Sequence, residues 1–368
     1  MSLYISYIAK IIIYFIFSIV LYKYLKKREK NNKKKKISFI AIIVFGFLFG
    51  LYGIICGPIP YTADRLNYAL RFSNDIYLNF IKSNSIGLYF IYNFLHFFSY
   101  DPNLLFFFMG FIYFALTMYA YNIEKESTPL GMLLLLLSTY GLFGFYMYKQ
   151  AIAIVCIVIA FHHLKENKII KCALFILFAT LFHESAWISI PLFILLRINP
   201  NSKIKTSLFF IIILFLVLFF NSISSSIVKF FNFIPGIDTQ LLNYLNADGG
   251  IKVSNNYLTA LKAIPFYIIL LYGFIKNNYL KNKIENYNIK MILTIFVCST
   301  SILSIYNYWL WRFGAFFYFP VLMFSVEIYK NMSNKKEKSF YILLLVSVLF
   351  ILQLKLLIQY YFIHGGII

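Results

Sequence analysis

The sequence predicts an all-α polytopic membrane protein in which about 10–12 transmembrane helices form a single transmembrane domain over residues 1–368. Hydrophobic residues make up 61% of the chain and charged residues only 13%, which is more apolar surface than a soluble domain of this length could bury. Apolar runs long enough to cross a bilayer recur from 37–57 to 339–361. These runs show no strand-like alternation, so we expect them to be helices.

The formal charge of +21 comes mainly from basic residues in short loops between the apolar runs. The clearest cluster is KKREKNNKKKK at 26–36, and smaller groups fall at 165–171, 197–205, 276–290 and 330–338. Short loops rich in Lys and Arg face the cytoplasm, where they lie beside anionic lipid headgroups. This distribution predicts contact with membrane lipids and argues against nucleic-acid binding.

The positions of the basic loops set the predicted order of crossings. A first span near 3–25 has no small-residue cleavage site, so we expect it to be retained. The outer segments 58–102 and 221–257 are expected to line an outward-facing cavity, and the C-terminus is expected outside. Ordinary spans are predicted at 3–25, 37–57, 103–122, 129–147, 149–164, 206–220, 258–275, 290–308, the run that follows the outer tip YNYWLWRF (306–313), and 339–361.

Two apolar segments are too short for ordinary spans. About 25 residues separate the inner loops at 165–171 and 197–205, and two helical arms of about a dozen residues reach only about 18 Å each, against a hydrocarbon core of roughly 30 Å. We expect either two short spans or a re-entrant hairpin there, with His183-Glu184-Ser185 at the tip. The run 86–98 is expected to be a re-entrant or interfacial helix on the outer side.

Glycines recur along the second apolar run. Gly46, Gly50, Gly53 and Gly57 form two steps in which small residues are four positions apart. Such steps let two helix backbones approach closely in a membrane. The pattern therefore predicts tight helix packing rather than a phosphate-binding loop.

Charged residues stand near the predicted outer ends of helices in four motifs. They are TADRLNYALRF at 62–72, YKQAIAI at 148–154, LFHESAW at 181–187 and WRFGAFFYF at 311–319. An ionisable group near membrane depth costs several kcal/mol unless it is paired or hydrated, so each motif is a candidate site. Each also has a structural explanation: a solvated helix with an Asp–Arg pair, a snorkelling lysine, a satisfied histidine and an interfacial arginine, respectively. Their common predicted side favours one shared cavity.

In order and approximate spacing, these motifs resemble those of the EpsG family of Wzy-like polysaccharide polymerases, over about residues 40–325. In that family an Asp precedes a Tyr by four residues, as Asp64 precedes Tyr68. An Arg-Gln pair that opens a span, a Phe-His pair that ends an apolar run and an Arg before an aromatic run match Lys149-Gln150, Phe182-His183 and Arg312. Lysine replaces the family's arginine at 149, which keeps the charge but loses the planar fork that binds phosphate through two hydrogen bonds.

The resemblance implies a GT-C-like glycosyltransferase of the bacterial cytoplasmic membrane, with no cofactor and with its active site on the outer side. Its donor is implied to be an undecaprenyl-diphosphate-linked oligosaccharide and its acceptor the sugar hydroxyl of a second lipid-linked unit. Cations stabilise the departing diphosphate, and a base accepts the hydroxyl proton. The predicted catalytic residues are His183 as base, Asp64 as rival base or sugar anchor, and the cations Arg312 and Lys149. The predicted substrate-binding residues are Arg65, Tyr68, Arg71, Gln150, Glu184, Trp187, Tyr308 and Trp311.

Other functions fit part of the same pattern. An oligosaccharide ligase would use the same donor with a different acceptor, and a flippase or transporter of lipid-linked sugars would also gather cations and aromatic rings in a cavity. A membrane-bound O-acyltransferase would also use a histidine near membrane depth. The motifs require no metal, because His183 and Glu184 are adjacent and point to different faces. The partners that the resemblance implies are a chain-length regulator and a flippase.

Overall fold

The computed structural model describes residues 2–30, 37–55, 63–73, 86–124, 127–197, 261, 263–305 and 310–364, and every regular element in these ranges is a helix. The predicted all-α class is therefore confirmed for the described residues. The expected span 206–220 and the outer loop 221–257 lie outside them. The chain divides into two compact units, the first formed by Met1–Ile190 with Ile342–Ile368 and the second by Pro191–Tyr341. A single transmembrane domain over the whole chain stays a prediction.

Sixteen α-helices and one 3₁₀ helix are described, and we number the α-helices in chain order within the described ranges. They are α1 Ser2–Lys30, α2 Phe39–Ile55, α3 Ala63–Ser73, α4 Ile86–His96, α5 Pro102–Ile123, α6 Pro129–Leu137, α7 Thr139–Tyr146, α8 Tyr148–Lys165, α9 Ile169–Phe182, α10 Ser189–Arg197, α11 Ile264–Ile275, α12 Asn277–Leu280, α13 Tyr287–Leu303, α14 Trp311–Ala315, α15 Tyr318–Asn331 and α16 Lys335–His364. The 3₁₀ helix Glu184–Ile188 stands between α9 and α10.

Two described helices, α5 and α8, are long and apolar enough to cross a membrane by length and composition. Shorter apolar helices include α2, α9, α11 and α13. Their positions agree with the predicted spans at 37–57, 103–122, 149–164, 258–275 and 290–308, and they support a membrane protein. The number of crossings, the GT-C-like arrangement, the re-entrant elements and the outward-facing cavity stay predictions.

The close packing predicted from the glycines of α2 is confirmed where α2 meets α5. A methyl group added at Gly50 would lie 2.8 Å from the carbonyl oxygen of Phe107, and one added at Gly53 would lie 3.0 Å from that of Phe106. On α5, Gly110 faces the Cα atom of Gly50. The two backbones therefore approach more closely than any larger residue at these positions allows.

Aromatic rings fill the space beside this glycine contact. The ring of Phe49 stacks on Phe114 at 4.8 Å and on Phe145 at 4.5 Å between centroids. Tyr14 of α1 packs against Tyr52, and its hydroxyl donates to the carbonyl oxygen of Leu136 at 2.7 Å. Helices α1, α2, α5 and α7 thus share one aromatic core in the first unit, and the Tyr14 hydroxyl links it to α6.

The predicted span 129–147 is two helices rather than one, because the chain breaks at Ser138. The Ser138 hydroxyl donates to the carbonyl oxygen of Leu135 at 2.6 Å and accepts from the amide of Tyr140 at 3.2 Å. These bonds replace helical hydrogen bonds that the extended backbone at Ser138 cannot make. Serine also occurs inside continuous membrane helices, so its presence in an apolar run did not signal the break.

Helices α8 and α9 form an antiparallel hairpin joined by the short turn 166–168. In α8, 83% of the residues are buried, which is typical of a helix at the centre of a bundle. Since α9 runs back along α8, its C-terminal end lies near the N-terminal end of α8. This arrangement places residues of two predicted motifs at the same end of the hairpin.

At the other end of α8, Glu124 links α5 to the last turn of α8. Its Oε1 accepts from Lys165 Nζ at 2.6 Å, and its Oε2 lies 3.8 Å from Nδ1 of His162. Burial by itself raises the pKa of the Glu124 carboxyl, but His162 and Lys165 outweigh burial and hold that pKa at about 2. The carboxylate is therefore ionised at neutral pH.

In the second unit, α13 packs against α11, α14 and α15. Lys290 of α13 donates to both carboxylate oxygens of Glu327 on α15, each at 2.9 Å. Lys290 is only 3% exposed, so the pair satisfies two charges inside the unit. Gly314 of α14 lies so close to Thr300 of α13 that an added methyl group would overlap the Thr300 hydroxyl.

We predict that Gly50→Val lowers the thermal stability of the detergent-solubilised protein. The valine methyl groups would meet the Phe107 carbonyl and force α2 away from α5, and such overpacking typically costs about 1–3 kcal/mol. The measurement is the melting temperature followed by far-UV circular dichroism. Leu51→Val, one residue along on an exposed position, is the control and is expected to change the melting temperature little. Equal melting temperatures for the two variants would show that α2 and α5 do not pack as described.

Candidate functional site

Arg65, a predicted substrate-binding residue on α3, is an internal anchor. It is 2% exposed, and its guanidinium donates to the carbonyl oxygens of Phe145 and Gly53, each at 2.9 Å. The same group lies over the ring of Phe106 at 3.7 Å from the centroid. Arg65 therefore holds α3 against the ends of α2, α5 and α7, and these contacts give it a structural role. Direct contact with substrate stays a prediction.

Tyrosine rings join the first motif to the second. The Tyr68 ring of α3 lies 5.3 Å from that of Tyr148, the first residue of α8, and the Tyr92 hydroxyl of α4 donates to the Tyr68 carbonyl oxygen at 3.0 Å. Burial raises the pKa of Tyr92. The neighbouring Tyr68 and Tyr148 raise this pKa further, and the positive charge of Arg71 lowers it. Tyr68, Arg71, Tyr92 and Tyr148 therefore form one group.

The second motif forms the start of α8. No side chain caps the helix at Met147, so the first turn presents backbone amides and the positive end of the helix dipole. Lys149 is half-buried there and adds a full positive charge, whereas Gln150 is 1% exposed and belongs to the interior. An anion near this end of α8 would meet both the amides and the ammonium group.

His183 is the residue at which α9 ends and the 3₁₀ helix begins. Its Nδ1 accepts from the backbone amide of Ser185 at 3.3 Å and lies 2.6 Å from the Ser185 hydroxyl. Because the Ser185 amide donates to Nδ1, we assign the proton of a neutral His183 to Nε2. In this state Nε2 donates a hydrogen bond and does not accept a proton.

The third motif lies beside α4 and the start of α8. Gly87 of α4 packs on the ring of Phe182, where an added methyl group would lie 2.9 Å from the ring, and the 3₁₀ helix contacts α8. Trp187 within that helix is 54% exposed. The first three motifs are thus gathered at one end of the first unit, with a half-buried histidine and an exposed indole ring.

The fourth motif lies in the second unit. Trp311 is 4% exposed and Arg312 is half-buried on α14, which packs against α13. A stacking role of Trp311 on a sugar would need its ring to move, because the ring is covered in this conformation. A common cavity for Arg312 and the first three motifs stays a prediction.

Three predicted site residues can be placed only in part. Asp64 lies in the first turn of α3 and Glu184 opens the 3₁₀ helix, but their side chains lie outside the described structure. Tyr308 falls in the segment 306–309, which also lies outside it. The roles predicted for these residues stay predictions.

Two features of the first unit were not predicted from the sequence. Tyr92 contributes to the tyrosine group, although the only signal for it was a short aromatic run. His162, His163 and Glu166 come together at the opposite end of α8, with ligand atoms within 4.8 Å of one another. The signal was present as HHLKE at 162–166, in which His and Glu are four residues apart and share a helix face.

The described fold and the placement of polar groups define a helical membrane protein with cationic and aromatic residues gathered at helix ends. The chain belongs to the EpsG family, whose sequence model matches residues 74–364. The match includes the motifs at 148–154, 181–187 and 311–319 and begins after the motif at 62–72. No curated protein and no solved structure matches the chain significantly.

We predict that Arg65→Met lowers the thermal stability strongly. It leaves two buried carbonyl oxygens without their charged donor, and the loss of such bonds costs on the order of 2–4 kcal/mol. The melting temperature measures the effect. Arg65→Lys is expected to recover part of the loss, since one ammonium group reaches fewer acceptors, and Asn67→Ala on the exposed side of α3 serves as control. A stable Arg65→Met protein would contradict the anchoring role.

A second prediction separates the two nitrogens of His183. Asparagine places an acceptor where Nδ1 stands and keeps the cap, whereas glutamine places an amide near Nε2 and loses it. We expect His183→Asn to keep the wild-type melting temperature but to lose the predicted glycosyl-transfer activity. We expect His183→Gln to lower the melting temperature but to keep more of that activity. Melting curves and product gels measure the two effects. Equal activity losses with equal melting temperatures would contradict this division of roles.

Proposed function

We propose that the protein polymerises lipid-linked oligosaccharide repeat units for an O-antigen, capsule or exopolysaccharide. Membership of the EpsG family indicates a polysaccharide polymerase role and is the observation that carries the proposal. The donor is an undecaprenyl-diphosphate-linked glycan, and the acceptor is the sugar hydroxyl of a second lipid-linked unit. The reaction takes place on the outer face of the bacterial cytoplasmic membrane.

The cations have a defined task in this reaction. The acceptor oxygen forms a bond to the anomeric carbon of the donor glycan, while the bond from that carbon to the diphosphate oxygen breaks. Undecaprenyl diphosphate leaves with the electron pair, and negative charge grows on it in the transition state. Arg312 and Lys149, the latter aided by the start of α8, stabilise that charge more than they stabilise the bound donor.

The acceptor hydroxyl must also lose its proton. The Ser185 amide that occupies Nδ1 of His183 supports a donor role for the His183 Nε2–H group, directed at a sugar or diphosphate oxygen. Asp64 is then the better candidate for the base, and it stands on the helix that carries Tyr68. Trp187, exposed beside His183, offers a surface on which a sugar ring stacks.

The polymerase assay uses membranes that contain the protein and a purified pool of undecaprenyl-diphosphate-linked oligosaccharide. We expect a gel ladder spaced by one repeat unit for the wild type. For Arg312→Ala we expect ladder formation to fall by about 100-fold or more, because one fixed donor to a developing anion contributes about that much. Gel densitometry over time measures the change in rate.

Three variants control this assay. Lys283→Ala removes an exposed positive charge from the same unit and should keep the ladder. Lys149→Ala should reduce the rate of ladder formation. Lys149→Arg should keep the wild-type rate, since arginine keeps the charge and adds the planar fork. Gel filtration of each variant checks folding. A single repeat unit transferred to another acceptor would instead establish a ligase, and glycan that crosses the bilayer unchanged would establish a flippase.

A further inference from the structure

The end of α8 opposite Lys149 carries a cluster that the proposed polymerisation does not use. We name His162, His163 and Glu166 the inner histidine cluster, because the loop 165–171 is predicted to face the cytoplasm. Their ligand atoms all lie within 4.8 Å of one another. Tetrahedral coordination at zinc distances of about 2.0 Å places ligand atoms roughly 3.3 Å apart, so small side-chain rotations bring these groups to one ion.

His162 is already oriented as metal-binding histidines are. Its Nε2 lies 3.5 Å from Oε1 of Glu166, and its Nδ1 lies 3.8 Å from Oε2 of Glu124. In metal sites a carboxylate commonly accepts from the histidine nitrogen that does not face the ion, which fixes the ring and makes it a better ligand. Glu124 is placed to do this from α5, while Lys165 neutralises the other oxygen of that carboxylate.

His163 supplies an independent indication of a binding site. It is only 7% exposed, and its Nδ1 has no hydrogen-bond partner among the described residues. A buried polar nitrogen without a partner is costly, and the ring is held in place beside His162 and Phe175. Within the described structure this buried imidazole stands next to two other ligating groups.

We propose that the inner histidine cluster binds one divalent transition-metal ion, with zinc the best match. Two imidazole nitrogens and one carboxylate oxygen form a known three-ligand zinc set that leaves one position for water. Imidazole ligands disfavour magnesium and calcium, which prefer oxygen. Lys168 pairs with Oε2 of Glu166, so Oε1, the oxygen nearer His162, is the proposed ligand atom; the neighbouring positive charge opposes binding only weakly because Lys168 is 51% exposed.

The ion would connect α8, through His162 and its contact to Glu124, with the end of α5. The cluster lies 13 or more residues along α8 from Lys149, which is about 20 Å at 1.5 Å per residue. The site is therefore separate from the proposed glycosyl transfer. Its test does not depend on polymerisation, so the two proposals stand or fall separately.

The test measures metal binding directly on the full-length protein, purified in detergent with a tag that contains no histidine and stripped with a chelator. Cobalt(II) is titrated in and followed by its visible d–d absorption, and zinc is then added as competitor. We expect one cobalt per chain, displaced by one zinc, with elemental analysis after gel filtration confirming the stoichiometry. Absence of stoichiometric binding by the wild type would overturn the proposal.

Variants assign the ligands. His163→Gln and Glu166→Gln should each weaken binding by at least about 10-fold, and Glu124→Gln should weaken it by about 10–100-fold without changing the stoichiometry. Lys168→Gln should strengthen binding, since it removes a positive charge that lies beside Glu166. His96→Gln on α4 is the control for an unrelated histidine and should bind the metal as the wild type does.

Gel filtration identifies any variant that fails to fold. The partly exposed Glu166 is the ligand whose replacement disturbs the core least. Unchanged affinity in folded Glu166→Gln and His163→Gln would overturn the proposal.

Discussion

The burial of α8 is the constraint on which the first unit depends. A helix covered on almost every face must be apolar along its length, so its polar residues are confined to its two ends. At the start stand Lys149 and Gln150, and at the end stand His162, His163 and Lys165. The helices α5 and α9 that cover α8 bring further polar groups to those same ends. The two chemical features of the unit are therefore at opposite ends of one helix.

Polar groups at helix breaks satisfy the backbone that the breaks expose. The Ser138 hydroxyl does this between α6 and α7, and the His183 imidazole does it between α9 and the 3₁₀ helix. Arg65 provides two donors to carbonyl oxygens near the ends of α2 and α7. Inside an apolar bundle water cannot take these roles, so side chains must. A hydrogen bond to the protein's own backbone therefore explains a polar residue in an apolar run as well as contact with a substrate does.

The capping bond of His183 bears on its proposed mechanistic role. Its capping bond and a general-base role compete for one tautomer, because the nitrogen that accepts from Ser185 cannot be the one that carries a proton. In the proposed reaction the cap therefore favours hydrogen-bond donation from Nε2, and Asp64 is the proposed base. The structural contacts of Arg65 likewise limit its role at a substrate. Its guanidinium already donates to two carbonyl oxygens, so fewer donors remain for a diphosphate.

The sequence by itself determined the all-helical class, the principal apolar helices and the tight packing of the glycine-bearing α2, because hydrophobic run length and glycine spacing are local properties; that α5 is the partner of α2 was decided by the tertiary structure. The three family motifs within 74–364 were also readable from the sequence. Only the tertiary structure decided that Arg65 is an anchor, that the run 129–147 breaks at Ser138 and that His183 uses Nδ1 as a cap. It also decided that the HHLKE segment meets Glu124, 38 residues earlier in the chain than His162. Each of these depends on which atoms lie opposite a polar side chain after the helices pack, and no pattern along the chain carries that information.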